Sequence, residues 1–394
     1  MSKTVPKEFS SEELCKLGKY VIKMVVRQIL DDADNDPDNA FEQLKIGSRG
    51  KPALRVDINA EDTASRRIRR YKGEKYRSIG VLGEERLANE SLDLTGSPKT
   101  WALADALDGT DLIERGLGNW CSALVLYCPS NDVGKRIMAV VVGMPNSDIY
   151  YSSQDDPDVW VESKSGSKRK VFGPKVFDEK DDPESLDKAT ICFYGQKISG
   201  LKSIFQTKWM QHPELLSSSK VRYQTLAGIP MMLKLSDHRP QKESRGIEVV
   251  FDLRGQKPHD VVPGAYLCLK AGAHILDMKD GMPLTIDRLE ESLLRPANDE
   301  SKLKYVMAPT ARLAREMYDL LTLCANSRLT VEANVAGANI EVDGAFVGNS
   351  PSTLLVTSEE HTISVVKKGY EVWSRTMLVS GPDVLLTPEL QIKS

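Results

Sequence analysis

The chain of 394 residues is long enough to bury a sizeable core, and its length favours two domains. Hydrophobic residues make up 41% and charged residues 28%, which is typical of a globular protein. The formal net charge of -3 excludes a general attraction to nucleic acid or anionic membranes. A site for an anionic substrate would therefore need local positive charge, from metal ions or a few Lys and Arg residues.

The N-terminal residues MSKTVPKEFSSEEL lack the apolar region of a signal peptide, and no apolar run is long enough to span a bilayer. We therefore expect no membrane insertion. The six cysteines show no CxxC spacing and mostly lie in apolar stretches, which predicts reduced, buried thiols. Together these features favour a cytoplasmic protein.

Helical spacing of apolar residues predicts a first helix over residues 11–30, with Ser11 as its N-cap. The polar stretch 31–40 is expected to end this helix as a loop. A second helix is predicted from Thr63 towards Tyr71.

Short apolar and β-branched runs predict strands through the middle of the chain. They cover residues 79–82, 101–107, 122–127 and 137–142, and residues 190–194, 247–253 and 265–271 are predicted as further short ordered segments. A hairpin is predicted over 159–171, with its turn at Ser165-Gly166 and a solvated basic face. Helices mixed with short strands indicate an α/β (α+β) layered sandwich.

A domain boundary is predicted near Asn326. Before it, residues 311–323 carry an apolar helical stripe, and after it apolar residues alternate with polar ones. Glycines mark the turns of this second part. The sequence thus predicts a domain over 1–325 and a small all-β sandwich domain over 326–394.

Two acids separated by two residues, Asp105 and Asp108, precede Gly109-Thr110. At the end of a strand this spacing can aim both carboxylates at one point, and hard cations such as Mg²⁺ prefer oxygen ligands. The carbonyl of Leu107 could be a further ligand. Gly109 permits close backbone approach, and a helix starting there would offer the amides of Gly109 and Thr110 to an anion. An ordinary loop with helix-capping side chains is the alternative.

Two other acids follow or precede apolar segments. Glu84 lies in Gly83-Glu84-Glu85, directly after an apolar run, and Asp260 stands before an apolar segment that is predicted to be helical. Taken alone, Glu84 is typical of a protein surface and Asp260 of a helix N-cap.

Together these segments resemble the inositol monophosphatase family, part of the metal-dependent, lithium-sensitive phosphatase superfamily. That family has GEE, then D-x-x-D-G-T, then W-D-x-A-A-G followed by L-x-x-E-A-G-G. The matching segments here are GEE at 83–85, DALDGT at 105–110, HDVVPG at 259–264, Leu267 and Ala271-Gly272. The resemblance covers residues 12–325 and implies a layered sandwich of the sugar-phosphatase type.

The resemblance also implies the site. Two or three Mg²⁺ ions would be bound by Glu84, Asp105, Leu107, Asp108 and Asp260, and phosphate by the amides of Gly109 and Thr110. Glu84 and Thr110 would act in catalysis, with the Thr110 hydroxyl paired to an upstream Asp to activate water. The family's V-T-x-x-D spacing matches residues 58–62, which favours Asp62 for that role. Asp57 is the competing candidate, and a plain N-cap is the other interpretation of Asp62.

Substrate contacts are expected just before Asp260, from Asp252, Arg254 and Lys257. This segment lacks a close match to the inositol-specific version, and Arg254 and Lys257 could bind a second phosphate or lie on the surface. The expected substrate is a small phosphate monoester, an inositol monophosphate or a related sugar or nucleotide phosphate. Such esters are inert in water, and a metal ion that lowers the pKa of water makes their hydrolysis accessible.

Some positions depart from the family pattern without removing a metal ligand, so activity is expected to survive. His259 stands where Trp is usual and Lys270 where Glu is usual, Ala273 replaces a Gly, and Pro263 lies in a small-residue stretch. These departures weaken any assignment to a substrate subgroup.

The C-terminal part resembles a PEGA domain over residues 328–392. The matching runs are GANIEVDG at 337–344, GNSP at 348–351, His361-Thr362 and KGY at 368–370. Such a module is expected to bind a protein or polysaccharide partner or to mediate oligomerisation, and a passive appendage is the alternative. A homodimer is the family-based expectation.

Two other functions compete with this prediction. A haloacid-dehalogenase-type phosphatase uses an Asp nucleophile in D-x-D-x-T, whereas two residues separate the acids here. A phosphatase-like binding or scaffold protein acting through its PEGA domain is the non-enzymatic alternative, and the intact set of acids argues against it.

Overall fold

The computed structural model describes the greater part of the chain. The described residues are 9–44, 53–83, 99–174, 186, 189–194, 204, 207–211, 222–224, 227–237, 246–294, 301–322, 327–357, 359–379 and 383–393. By contacts the chain divides into two compact units, Met1–Tyr194 with Lys220–Arg315 and Gly195–Ser219 with Glu316–Ser394. The boundary between 325 and 326 stays a prediction.

The described helices are spread along the chain. They are α1 (Ser11–Asn35), α2 (Pro37–Ala40), α3 (Arg55–Arg69), α4 (Thr110–Ile113), α5 (Gly228–Ser236), α6 (Pro258–Lys270), α7 (Ile286–Leu293) and α8 (Ala311–Leu321). Among these described helices, none has the length and hydropathy needed to cross a membrane.

The start and the end of α1 both differ from the prediction. Ser10, not Ser11, is the N-cap: its hydroxyl accepts from the Glu13 amide, and the Glu13 carboxylate accepts from the Ser10 amide. Ser11 is buried and donates to Asp155 at 2.6 Å. The helix continues to Asn35, and α2 follows directly, so the loop predicted over 31–40 is wrong.

Helix α3 begins eight residues before the predicted start at Thr63. Its N-cap is Leu54, which offers no capping oxygen, and the Asp57 carboxylate accepts the Leu54 amide at 3.3 Å instead. Asp62 therefore lies inside the helix, and the N-cap interpretation of Asp62 is also wrong.

A seven-stranded sheet forms the centre of the first unit. Its order is β3 (Gly80–Gly83), β4 (Trp101–Asp108), β5 (Cys121–Tyr127), β6 (Ile137–Gly143), β7 (Ile149–Ser153), β8 (Trp160–Glu162) and β9 (Lys168–Lys170). Strands β3 and β4 are parallel, and every later pair is antiparallel. The predicted hairpin is β8–β9, with Gly166 at a φ of 84° in its turn.

A second, five-stranded sheet completes the first unit. Its order is β11 (Arg222–Gln224), β10 (Thr190–Phe193), β12 (Val249–Gln256), β14 (Leu303–Ala308) and β13 (His274–Asp277). Helices α1 and α3 cover one face of the first sheet, and α5 and α6 pack between the two sheets. The predicted layered α/β class is confirmed. A separate pair, β1 (Gln43–Leu44) and β2 (Ala53–Leu54), precedes α3.

The second unit contains a small β-sandwich, as predicted. A three-stranded sheet has the order β18 (Ser352–Val356), β15 (Ser327–Val331) and β21 (Asp383–Leu386). A four-stranded sheet has the order β17 (Ala345–Asn349), β16 (Asn339–Val342), β19 (Glu360–Val366) and β20 (Trp373–Leu378). Alternate residues of both sheets, such as Leu329 and Ile363, form its core.

The five described cysteines are free thiols, as predicted. Four of them are buried, and Cys128 is half-buried. Cys324 lies outside the described residues.

Candidate active site

The end of β4 brings Asp105 and Asp108 to one face of the sheet. Asp105 pairs with Ala123 and Asp108 with Cys121, so β4 has one residue more than β5 between these two pairs. Such a bulge turns the later side chain over, and acids three positions apart then point the same way. Both carboxylates are buried, and after burial itself their charges raise the pKa of the Cys121 thiol.

Asp108 is held by the beginning of α5. Its Oδ2 accepts the Ile229 amide at 2.8 Å, and the positive end of a helix dipole favours a carboxylate there. The next residue, Gly109, has a φ of 96°, which favours glycine. A Cβ at Gly109 would lie 3.0 Å from the Cβ of Ala227 and 3.2 Å from that of Trp120. Only a glycine lets the turn into α4 fit this space.

The partner of Thr110 is Asp57. The Thr110 hydroxyl lies 2.9 Å from Asp57 Oδ1 and 3.2 Å from the Leu107 carbonyl, which was predicted as a metal ligand. The preference for Asp62 is therefore corrected in favour of the competing candidate. Asp57 lies in the first turn of α3, whereas Asp62 is more than one turn further on, half-buried beside a cavity of about 190 Å³.

Asp260 lies in the first turn of α6. Its Oδ2 accepts the Lys257 amide at 3.3 Å, as a capping acid does. Its Oδ1 is buried and accepts no hydrogen bond, although Nε2 of His259 lies 3.0 Å away. Capping therefore uses Oδ2 and leaves Oδ1 for the predicted metal contact.

Close packing of α6 on α5 brings their beginnings together. A Cβ at Gly264 would lie 2.5 Å from the Met232 sulfur and 3.4 Å from the Ile229 Cα. Tyr194 lies close enough to be affected by both Asp108 and Asp260. Burial, and then the charges of these two acids, raise the pKa of its hydroxyl. Tyr194 follows β10 and no sequence pattern pointed to it.

The predicted substrate contacts differ in accessibility. Asp252 is fully buried, its Oδ1 accepts the Arg254 and Gly255 amides at 2.7 and 3.1 Å, and burial raises its pKa. Asp252 is therefore closed to a substrate, and its prediction as a substrate contact is corrected. Arg254 is exposed and Lys257 is the half-buried N-cap of α6, so both can meet a ligand.

The predicted metal ligands are only partly described. Glu84 lies outside the described residues, which stop at Gly83, the partner of Ala104 in the sheet. Among the residues that the structure describes, no three His, Cys, Asp or Glu side chains converge enough to hold a metal ion alone. The donors nonetheless fit a hard divalent cation: carboxylates of Asp105 and Asp108 that are 4% and 8% exposed, and Oδ1 of Asp260, which accepts no hydrogen bond and lies 3.0 Å from Nε2 of His259.

Comparison with solved structures identifies this architecture. The chain resembles the extragenic suppressor protein SuhB from Bartonella henselae, with a TM-score of 0.52 and 12% identity over 78% of this chain and 97% of that one. SuhB from Mycobacterium tuberculosis gives a TM-score of 0.50 and 12% identity over 79% and 99%. An inositol monophosphatase–fructose 1,6-bisphosphatase gives 0.50 and 16% over 77% and 98%.

Residues 326–393 match the PEGA domain family. The chain has the inositol monophosphatase fold, followed by a PEGA domain. A search of curated protein sequences found no match. At these identities the likeness to solved structures concerns the fold alone.

Two departures from the inositol monophosphatase pattern have structural explanations. The Lys270 ammonium donates to the carbonyls of Ser153 and Asp156, so it holds the connection after β7. Pro263 lies inside α6 and is buried, and the helix continues through it to Lys270. Neither residue disturbs the first turn of α6, where Asp260 lies.

Proposed function

We propose that the chain is a Mg²⁺-dependent hydrolase of small phosphate monoesters. The observation that carries this proposal is the hydrogen bond from the Thr110 hydroxyl to Asp57, directly after the paired acids Asp105 and Asp108. A hydroxyl that donates its hydrogen bond to a carboxylate still has lone pairs that can accept a hydrogen bond from a water molecule. This arrangement suits the orientation of an attacking water next to a cation site.

The other residues have separable roles in this proposal. Glu84, Asp105, Asp108, Asp260 and the Leu107 carbonyl would hold the ions, and the amides of Gly109 and Thr110 would hold the phosphate. Divalent ions in such a site supply positive charge that stabilises the developing negative charge and makes water a better nucleophile. The Ile229 amide keeps Asp108 in place without neutralising it.

Asp57 acts in this scheme as the acceptor that orients the Thr110 hydroxyl. Its own position is fixed by the Leu54 amide at the start of α3, so the helix end and the turn after β4 are tied together. Thr110 would orient water, and Asp57 would receive the proton through it.

The substrate is proposed at the level of a small phosphorylated molecule. Arg254, which is exposed, and the half-buried Lys257 are proposed as cations for a further anionic group, whereas Asp252 is fully buried. The cytoplasmic location, the homodimer and a partner of the PEGA domain stay predictions. The likeness to inositol monophosphatase structures supports this function over a haloacid-dehalogenase type.

The test is hydrolysis by the full chain after removal of metal and stepwise addition of Mg²⁺. The panel contains inositol phosphates, fructose 1,6-bisphosphate, 3'-phosphoadenosine 5'-phosphate and histidinol phosphate. We expect Mg²⁺-dependent, Li⁺-inhibited phosphate release that Asp108→Asn lowers by about a hundredfold or more. The control is Asp132→Asn, an exposed acid in the connection after β5.

Full activity of Asp108→Asn would refute this mechanism. Binding of Mg²⁺ without turnover on any ester would instead favour the binding or scaffold alternative. Trapping of an aspartyl-phosphate with beryllofluoride would favour the haloacid-dehalogenase type.

A further inference from the structure

Helix α3 carries a second acid, the buried Glu61, one turn after the half-buried Asp57. Glu61 is 7% exposed, and its spacing of four residues places it on the same helix face as Asp57. Asp57 reaches the turn after β4 through Thr110. The same face of α3 therefore presents two carboxylates to the ends of the parallel strands β3 and β4.

The carboxylate of Glu61 lies against the end of β3. A Cβ at Gly83 would stand 2.4 Å from the Glu61 Cδ and Oε1, and 2.7 Å from Oε2. No side chain other than hydrogen fits at position 83 while Glu61 stays in place. The glycine of the GEE segment is therefore explained by a specific neighbour, a buried carboxylate from α3.

Gly83 is also the last residue of β3, and Glu84 follows it in the sequence. It pairs with Ala104 in the parallel ladder, one residue before Asp105. A group that fixes Gly83 therefore fixes the chain at the level of Asp105 and immediately before Glu84. Through this pair, the contact of Glu61 lies one residue from Asp105 in the sheet.

Burying a carboxylate costs free energy even when it is hydrogen-bonded, and a site with other buried acids nearby adds repulsion. Asp105, on the strand that pairs with β3, is such a buried acid. Packing alone would be served as well by a neutral side chain of the same shape. The negative charge of Glu61, placed against the end of β3, is one that a neighbouring cation site can use.

We propose that Glu61 is a positioning residue for the metal ligands, an inference that rests on the proposed function. Its carboxylate holds Gly83 and adds negative charge behind the cations, without touching substrate or a reacting atom. Groups behind the ligands typically change metal affinity by about 10- to 100-fold when they are altered.

The test measures metal binding directly, by electron paramagnetic resonance of Mn²⁺ added to the metal-free full chain. Glu61→Gln keeps the shape and removes the charge, and we expect Mn²⁺ affinity to fall about tenfold or more. Glu61→Asp keeps the charge on a shorter side chain and is expected to lose less. The matched control is Glu74→Gln, an exposed acid beyond α3, which is expected to bind Mn²⁺ as the unaltered chain does.

In activity assays, Glu61→Gln is expected to raise the Mg²⁺ concentration at half-maximal rate and to leave KM for the phosphate ester unchanged. If Glu61→Gln binds Mn²⁺ as tightly as the unaltered chain, or more tightly than Glu61→Asp does, Glu61 only fills space and the inference is wrong. If Glu61→Gln fails to fold, as judged by circular dichroism, Glu61→Asp decides: Mn²⁺ affinity as low as that of Asp108→Asn would overturn the inference.

The failure of this inference and of the proposed function are distinguishable. A full chain in which Asp108→Asn abolishes activity and Glu61→Gln leaves Mn²⁺ binding intact refutes only the role of Glu61. Full activity of Asp108→Asn refutes the proposed function whatever Glu61 does.

Discussion

The turn after β4 and the tip of the PEGA domain both fix carboxylates against a neighbouring segment, but they use different donors. In the first region Asp57 accepts from the Thr110 hydroxyl and Asp108 from the Ile229 amide. In the second, Asp343 faces Nδ1 of His361 at 2.6 Å and accepts the Thr362 amide at 2.8 Å. Both arrangements close a turn, and in the second the acid faces a titratable base.

The difference concerns what happens to the charge. A hydroxyl or an amide orients a carboxylate and leaves its negative charge, whereas a protonated histidine cancels it. The acids near β4 are thus fixed by donors that suit cation binding. In the PEGA domain, Asp343 and His361 form a hydrogen-bonded pair in which the charges can cancel, and such a pair suits a stabilising role.

The largest expected effect is a loss of activity when the acceptor of the Thr110 hydroxyl near β4 is changed. Asp57→Asn removes the charged acceptor of the Thr110 hydroxyl and is expected to lower kcat by about a hundredfold or more. Asp62→Asn, further along α3, is expected to cause a much smaller loss. Rates of phosphate release at saturating Mg²⁺ measure both, and equal losses would break the assignment of Asp57.

A second prediction concerns the turn that presents these acids. Gly109 and Gly116 have φ values of 96° and 69°, but only Gly109 has neighbours within 4 Å of an added Cβ. Gly116→Ala is expected to cost about 1 kcal/mol of unfolding free energy from backbone strain. Gly109→Ala adds crowding against Ala227 and Trp120, for a further loss of about 1–3 kcal/mol.

Urea unfolding of the full chain measures these two losses, and activity provides the second readout. We expect Gly109→Ala to lower activity as well, because the turn also places Thr110. Equal stability of the two variants would show that the space around Gly109 is not tight.

The smallest expected effect is the pH dependence of the PEGA domain. Burial acts to lower the pKa of His361, but hydrogen bonds with Asp343 and the Thr357 carbonyl, and the charges of Asp343 and Glu359, raise it above 6.5 overall. Because protonated His361 has a higher pKa in the folded state, protonation stabilises the folded domain fully at pH values below 6.5. This stabilisation is lost as the pH rises through the pKa of the folded state. The stability of this domain is therefore expected to fall towards alkaline pH.

Nuclear magnetic resonance titration of the His361 ring in the full chain measures this shift. Asp343→Asn is expected to lower the His361 pKa, because the carboxylate that faces Nδ1 is gone. An unchanged His361 pKa in this variant would remove the second half of the comparison.

Part of the site could be predicted from local sequence. The spacing of Asp105 and Asp108 before Gly109 indicated a strand that ends in a turn, and the structure has both. The layered fold also followed from the alternation of helices and short strands. These features depend on residues that are close together in the chain.

The partner of Thr110 was harder to predict because α3 begins without a capping side chain. Leu54 stands at its N-cap and gives no capping signal, whereas Asp62-Thr63, inside the helix, has the pattern of a helix start. Asp57 satisfies the Leu54 amide from the third position of the helix, which is a weaker sequence signal. The contact of Glu61 with Gly83 joins residues 22 positions apart and has no local signature.

The extra residue in β4 has a consequence for how acid spacing is interpreted in any chain. On a regular strand, acids separated by a single residue already share a face, so Asp-x-Asp needs no irregularity. Here Ala106 and Leu107 have no partners in the ladder with β5, and the Leu107 carbonyl lies beside the Thr110 hydroxyl. Deleting Ala106 would keep the two carboxylates together and return the main chain to regular pairing. The second intervening residue therefore encodes a main-chain oxygen beside the paired acids, a proposed ligand that no side-chain pattern can display.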